Sequence, residues 1–284
     1  MFVIIGLVVV FGAILGGFVM AGGKIPVLIQ PAEFIIIGGA ALGAALVANG
    51  MQTTMATFKA AMGAMKGSPY NKAAYEEALG LLFNFFQLAR REGLVALEKH
   101  VEKPEESTFF KDYPFFAANH HALLFLADTM KVVLTGAVEP HDLAEVLEAD
   151  LEAHHEAAMI IPNAITTSGD AMPGFGIVAA VLGVVITMGS IGGEASVIGH
   201  KVGAALVGTF LGILLAYGVF APLAKAVETQ IAAEHQYLLC IKAAVLAFAR
   251  GDSPLTCAEF ARRTIAPENR PSFTELEALT SSRK

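Results

Sequence analysis

Few side chains in this sequence could do chemistry inside an apolar medium. The stretch SGDAMPGFGIVAAVLGVVITMGSIGG, residues 168–193, is apolar enough to cross a membrane, with Thr187 and Ser190 the only polar side chains further along it. Asp170 stands at its threshold and Pro173 near its start. Thr209 and Tyr217 offer hydroxyls in a second apolar stretch. A hydroxyl commonly bonds a carbonyl of its own helix; it can also help coordinate a dehydrated ion or a water chain. A proton or ion relay through a membrane normally needs ionisable groups in the spans. None lies well inside here: Glu33 and Asp170 sit at span edges, and His200 sits in an outer loop. Such a chain cannot carry a proton by itself. If it conducts protons, the titrating carboxylate comes from a partner helix.

Other chemistries find no footing. EAHHE (152–156) lacks the HExxH spacing that puts two imidazoles on one helix face. NHHA (119–122) has no matching ligands near it, so no metal is expected. TSGD and GFG are not nucleotide loops, and GxxxxGK[ST] is absent. No Ser/His/Asp or Cys/His set can be assembled, so the sequence offers no enzyme and implies no cofactor. Cys240 and Cys257, in a polar and basic segment, read as free cytosolic thiols. LARREGLVALEKHVE (88–102) differs: Arg90, Arg91, Glu92, Glu98 and Lys99 form a compact charged patch across a glycine break. It is either a solvated helix end or a docking surface, where charge sets specificity and on-rate.

The elements that position these groups follow from composition. The 284 residues are 55% hydrophobic and only 16% charged, with mean hydropathy +0.60, against about 25% charged in soluble domains. This is a membrane chain. A net charge of -7 argues against nucleic acid. The N-terminus lacks a positive n-region, so a retained first span is expected rather than a cleaved signal. A span needs about 20 apolar residues. Residues 2–21, 172–192 and 202–224 supply three; 34–48 is shorter, open to a re-entrant reading, and extendable through GMQTTMATF. Of the 19 Lys and Arg, all but Lys24 and Lys201 fall outside the apolar part, in 50–170 and 225–284. Both blocks and both termini are therefore expected in the cytoplasm, with 22–32 and 193–201 as short external loops.

The central block reads as four helices: residues 71–91 stopping near Gly93, a short one in 94–102, 115–134 ending at Gly136, and 141–161. The tail opens with a long amphipathic helix closed by Gly251. The expected fold is an all-α integral membrane protein with four transmembrane helices, a helical cytoplasmic domain and an amphipathic C-terminal helix. The expected divisions are 1–49, 50–170, 171–224 and 225–284.

Each span carries small residues four apart: Gly12 and Gly16, Gly39 and Gly43, Ala179 and Gly183, Gly208 and Gly212. Small residues let helices approach closely where no hydrophobic effect drives association, either within one subunit or between chains. Four spans are few to enclose an ion path, which points to an oligomer. Pro173 and Pro222 fall at one expected depth on adjacent spans. Singly they read as a first-turn and a helix-end proline; paired, they suggest a hinge.

Five segments in one order, QPAEFIIIGGAALG, LARREGLVALEKHVE, GDAMPGFGIVAAVLGVV, VGTFLGILLAYGVFAPLA and RPSFTELE, resemble the MotA family of bacterial flagellar stator proteins. The resemblance runs from the first span to the tail. It implies a pentameric ring in the bacterial inner membrane, around the helices of a MotB-type partner that supplies the ion-carrying aspartate and anchors to peptidoglycan. Ion flow would turn the ring, and its cytoplasmic domain would push the rotor switch ring. By this resemblance Arg90 and Glu98 match rotor-contact positions, with Arg91 and Lys99 enriching the patch. Pro173 and Pro222 match the two coupling prolines, and Asp170 an acidic position beside the first. Thr209 matches a hydroxyl facing the ion path, with Thr187 as a further candidate. Sodium-driven relatives carry threonine where this chain has Ala180, and alanine offers sodium no oxygen, so protons are the expected ion.

The rivals are an ExbB- or TolQ-type energiser of outer-membrane processes, a sodium-driven stator, a passive membrane scaffold and a self-sufficient channel. ExbB and TolQ relatives typically have three spans and a different N-terminus, so four spans and the Arg90–Glu98 patch favour the stator.

Overall fold

The computed structural model describes residues 2–189 and 192–281, and every regular element among them is helical. The order is α1 (Phe2–Met20), a 3-10 turn (Ile25–Leu28), α2 (Pro31–Ala64), α3 (Lys72–Glu92), α4 (Val95–Glu102), α5 (Thr108–Lys111), α6 (Pro114–Ala118) and α7 (His120–Thr135). Then follow α8 (Pro140–Met188), α9 (Ala195–Leu215), a π segment (Ala216–Phe220), α10 (Ala221–Ala249), α11 (Pro254–Thr264) and α12 (Phe273–Ser281). Four stretches are long and apolar enough to cross a membrane: Phe2–Met20, Ile25–Ala64, Pro140–Met188 and Ala195–Ala249. The chain is an all-α integral membrane protein.

Two compact units emerge, 1–67 with 158–230, and 68–157 with 231–284. Their boundaries fall inside α8 and α10 because these helices run on past the apolar segments. The expected fourth cytoplasmic helix and third span are thus one helix, Pro140–Met188. The short second span also lengthens, to Ala64, interrupted at Gly50, whose φ of 72° and ψ of 171° leave the helical region. Only glycine takes that conformation without strain.

The first unit buries little. Its core is Ile37, Ala41, Met172, Ala179, Leu211 and Ala216, while Phe2, Val8, Val9, Val47, Met51, Val185 and Ile186 are exposed. A helix that is apolar all round belongs in lipid. The second unit has an aromatic core: Phe85 packs on Phe86, Phe109 and Phe110, Phe86 stacks on Phe248, and Tyr237 lies against Tyr70, Tyr75 and Phe116. Cys240 and Cys257 are free thiols, as expected, and both are fully buried in this core.

Local signals set the helix ends here. Asn71 caps α3 by accepting the Ala74 N–H at 3.1 Å, and Ser253 caps α11 through Thr256. The single helix expected over 115–134 is two. Asn119 adopts a non-helical conformation and its side chain accepts from Ala122, so α6 ends and α7 begins there. The tail holds α11 and α12 besides α10, tied to α3 through Lys72 and Glu275 at 2.6 Å.

Candidate functional site

The membrane-spanning unit is built round a seam between α8 and α9. A Cβ on Gly212 would come 2.5 Å from the Met172 carbonyl oxygen, and one on Gly176 2.8 Å from the Gly208 carbonyl oxygen. A Cβ on Gly183 would meet Ala205 at 2.6 Å. Backbone approaches backbone here, as small-residue faces allow. The pairs Ala179/Gly183 and Gly208/Gly212 therefore serve packing inside one chain. Gly12, Gly16, Gly39 and Gly43 face open space within 4 Å.

Glu33 stands at the edge of its span in chain position, but its side chain does not stay there. It is 7% exposed, and Oε2 lies 2.6 Å from where a Gly208 Cβ would be, in the middle of α9. That oxygen has no hydrogen-bond partner among the described residues. The sequence signal was the acidic residue in the first turn after Pro31, which ordinarily marks a solvated helix start.

The hydroxyls divide. Thr187 is 1% exposed and donates to the Gly183 carbonyl at 2.8 Å, the ordinary bond within its own helix. Thr209 and Ala180 are half-buried, each one residue beyond a seam residue, Gly208 and Ala179. Tyr217 is exposed. Ser190 lies outside the described residues.

Neither proline sits at a helix terminus of the expected kind. Pro173 is inside α8, as is Pro162, so Pro173 is not a first-turn residue. Each removes one backbone donor from the ladder. Pro222 is exposed and follows the π segment Ala216–Phe220; its helix continues to Ala249, so it does not end one. π segments occur mostly as single insertions in α-helices, often at functional places. Asp170 is exposed one turn before Pro173 and borders a cavity with Pro162, Asn163, Thr166, Lys225 and Glu228.

In the second unit, Arg90 and Arg91 close α3 and Glu98 opens α4, across Gly93. Arg90, Arg91, Glu92, Glu98 and Lys99 are all exposed, and none makes an ion pair within 4.0 Å among the described residues. The element beneath is firm. Leu97 and Val101 are buried, and the buried His100 Nδ1 lies 2.8 Å from Ser107 Oγ. Burial, then the Lys99 charge, holds the His100 imidazole below its ordinary pKa.

Two family models match this chain: motility protein A N-terminal over residues 4–93, and the MotA/TolQ/ExbB proton channel family over residues 117–238. Motility protein A of Salmonella typhimurium is 38% identical over 277 residues, covering 98% of this chain and 94% of its own length. The fold resembles that of C. jejuni MotAB at TM-score 0.77 and 22% identity, covering 95% of this chain and 98% of the other. It also resembles the flagellar MotAB stator complex of Bacillus subtilis, at TM-score 0.73 and 23% identity, over 90% and 92%. With both family models and a relative of this identity along nearly its whole length, the chain belongs to the motility protein A family of flagellar stator subunits, within the MotA/TolQ/ExbB proton channel proteins.

Proposed function

We propose that this chain forms the ring of a proton-driven flagellar stator, a pentamer around the helices of a MotB-type partner in the bacterial inner membrane. Both termini lie in the cytoplasm in this reading. The observation that carries it is the emptiness of the spans. From Ala171 to Met188 in α8 and from Val202 to Leu215 in α9 there is no titratable side chain, and Glu33 is a single buried carboxylate. One carboxylate makes no relay, so the proton carrier belongs to a second chain. The solved neighbours are MotAB structures, which supports a MotB-type partner. The proton channel family model supports protons over sodium.

In this reading Ala180 and Thr209 line the ion path and Ala180 gives sodium no ligand, while Thr187, buried and bonded within its own helix, stays out of it. Asp170, Pro173 and Pro222 couple ion passage to movement of the ring. Arg90, Glu98 and Arg91 meet the rotor switch ring; their exposure without ion-pair partners leaves their charge available to another protein. One charge falling through 100 mV is worth about 2.3 kcal/mol. That suffices to bias two ring positions that differ in how they treat the partner's carboxylate. Protonation removes its charge from a low-dielectric interface and so changes which position is favoured.

The test is rotor torque in cells lacking their own ring protein and supplied with this chain and its partner, varying sodium and the proton gradient separately. Torque that follows the proton gradient and ignores sodium is expected. Torque that follows sodium overturns the ion assignment. No torque, despite insertion and partner binding, favours an ExbB- or TolQ-type energiser. In the same cells Pro173→Ala at matched protein level should abolish most torque; a change in stability alone would favour a passive scaffold.

A further inference from the structure

Three helices of the second unit bring metal-ligating atoms to one point. His121 comes from the first turn of α7, His154 from α8 and Glu234 from α10. His121 Nδ1 lies 2.8 Å from Glu234 Oε1 and 3.2 Å from His154 Nε2, and all three ligand atoms fall within 4.8 Å of one another. Ligands bound to one tetrahedral zinc at about 2.1 Å stand about 3.4 Å apart, so the spacing is close to what an ion requires. We propose that His121, His154 and Glu234 form a binding site for a divalent transition-metal ion, Zn2+ by its ligand chemistry.

The protein alone satisfies this arrangement poorly. A single hydrogen on His121 Nδ1 has to serve both the Glu234 carboxylate and the His154 ring nitrogen. With Nδ1 bare, an Nε2–H of His154 donates to it and the Glu234 carboxylate is left facing its lone pair. A cation at the centre gives each lone pair its own bond. Two imidazoles and one carboxylate are a zinc set that leaves a position for water, and imidazole suits first-row divalent ions generally. His121 is exposed, so an ion can reach the site from solvent. Beside it the rings of His155 and His235 lie 4.9 Å apart. The buried Nδ1 atoms of both meet no hydrogen-bond partner among the described residues. These belong to the residues next to two of the ligands, and orphaned buried nitrogens are uncommon where packing alone decides.

Neither NHHA nor EAHHE revealed this site, because metal-ligand spacing was sought along one helix and the ligands come from three. Bound zinc would staple the start of α7 to α8 and α10, making the second unit responsive to metal supply. Ligation that favours the folded form raises its apparent stability.

The test uses the whole purified chain in detergent, stripped with a chelator and titrated with Zn2+ against a chromophoric indicator. One ion per chain at micromolar affinity is expected, with H154A and E234Q each weakening it at least tenfold. H141A, in an exposed pair with Glu145 away from the cluster, should bind as the parent does. Co2+ should give a visible d–d band that H154A abolishes. Thermal melts without metal verify that each variant folds, and H154Q replaces H154A if it does not. No saturable binding at micromolar Zn2+, or equal binding by the parent and H154A, overturns the proposal.

Discussion

The two units of this chain solve the packing problem with opposite materials. The second unit buries rings: Phe85, Phe86, Phe110, Phe116 and Tyr237 are fully covered, and its core closes on itself. The first buries glycine and alanine between α8 and α9 and leaves most of its large side chains outside. In water, area removed from solvent stabilises, at about 25 cal/mol per Å2, so large residues go inside. In lipid that gain vanishes between helices, and close backbone approach takes its place. The difference teaches that one chain can hold a core closed on itself and another that leaves most of its large side chains uncovered.

The comparison can be broken at its strongest point first. Phe85→Ala removes a ring from the centre of the second unit, which should cost about 3–5 kcal/mol. Chemical denaturation of the whole chain would measure it; a loss under 1 kcal/mol would mean the aromatic core is not what holds this unit. Gly212→Ala should cost about 1–3 kcal/mol in the first unit, since the new methyl meets the Met172 carbonyl. Gly39→Ala, with open space around it, should change the stability of the isolated chain by about 0.5 kcal/mol or less. If Gly39→Ala nevertheless lowers torque at matched protein level, another chain occupies that face.

Cysteine labelling separates the units. Cys240 and Cys257 both lie in the second unit, and burial pushes each thiol up to about 12. Alkylation at neutral pH should wait for that unit to open. Phe85→Ala should speed it and Gly212→Ala should not; acceleration by both would show that the units unfold together. The smallest effect concerns acid. The Lys72 ammonium holds the exposed Glu275 carboxyl at about 2 against an ordinary 4.5. Because the folded value is the lower one, its stabilisation is present above pH 4.5 and fades as pH falls toward 2. Glu275→Gln should flatten the acid limb of the stability curve slightly; an unchanged limb would assign that slope to other carboxylates.

Much of this was legible in the sequence. Hydropathy located the four spans, and Gly93, Gly136 and Gly251 marked true helix ends. What it hid has physical causes. A change from polar to apolar side chains at residue 171 is no change of backbone, so α8 runs straight through a boundary drawn by hydropathy. The Asn119 cap interrupts a helix whose apolar period continues on both sides. Glu33 was placed by chain position, whereas its carboxylate reaches a helix far along the sequence. The histidines share no helix face, so no spacing rule could group them.

The π segment sets the direction in which Pro222 points. An α-helix returns to one face about every 3.6 residues. Gly208, Gly212 and Ala216 are buried on one such line, which an unbroken helix would carry on to Val219 and Leu223. Instead Ala224 and Val227 are buried, and Pro222 is exposed. Ala216–Phe220 thus acts as a phase slip, adding one residue to a turn without breaking the rod. Deleting a single residue there would rotate everything after it by about 100° and carry Pro222 out of its present orientation while leaving every side chain in the seam untouched.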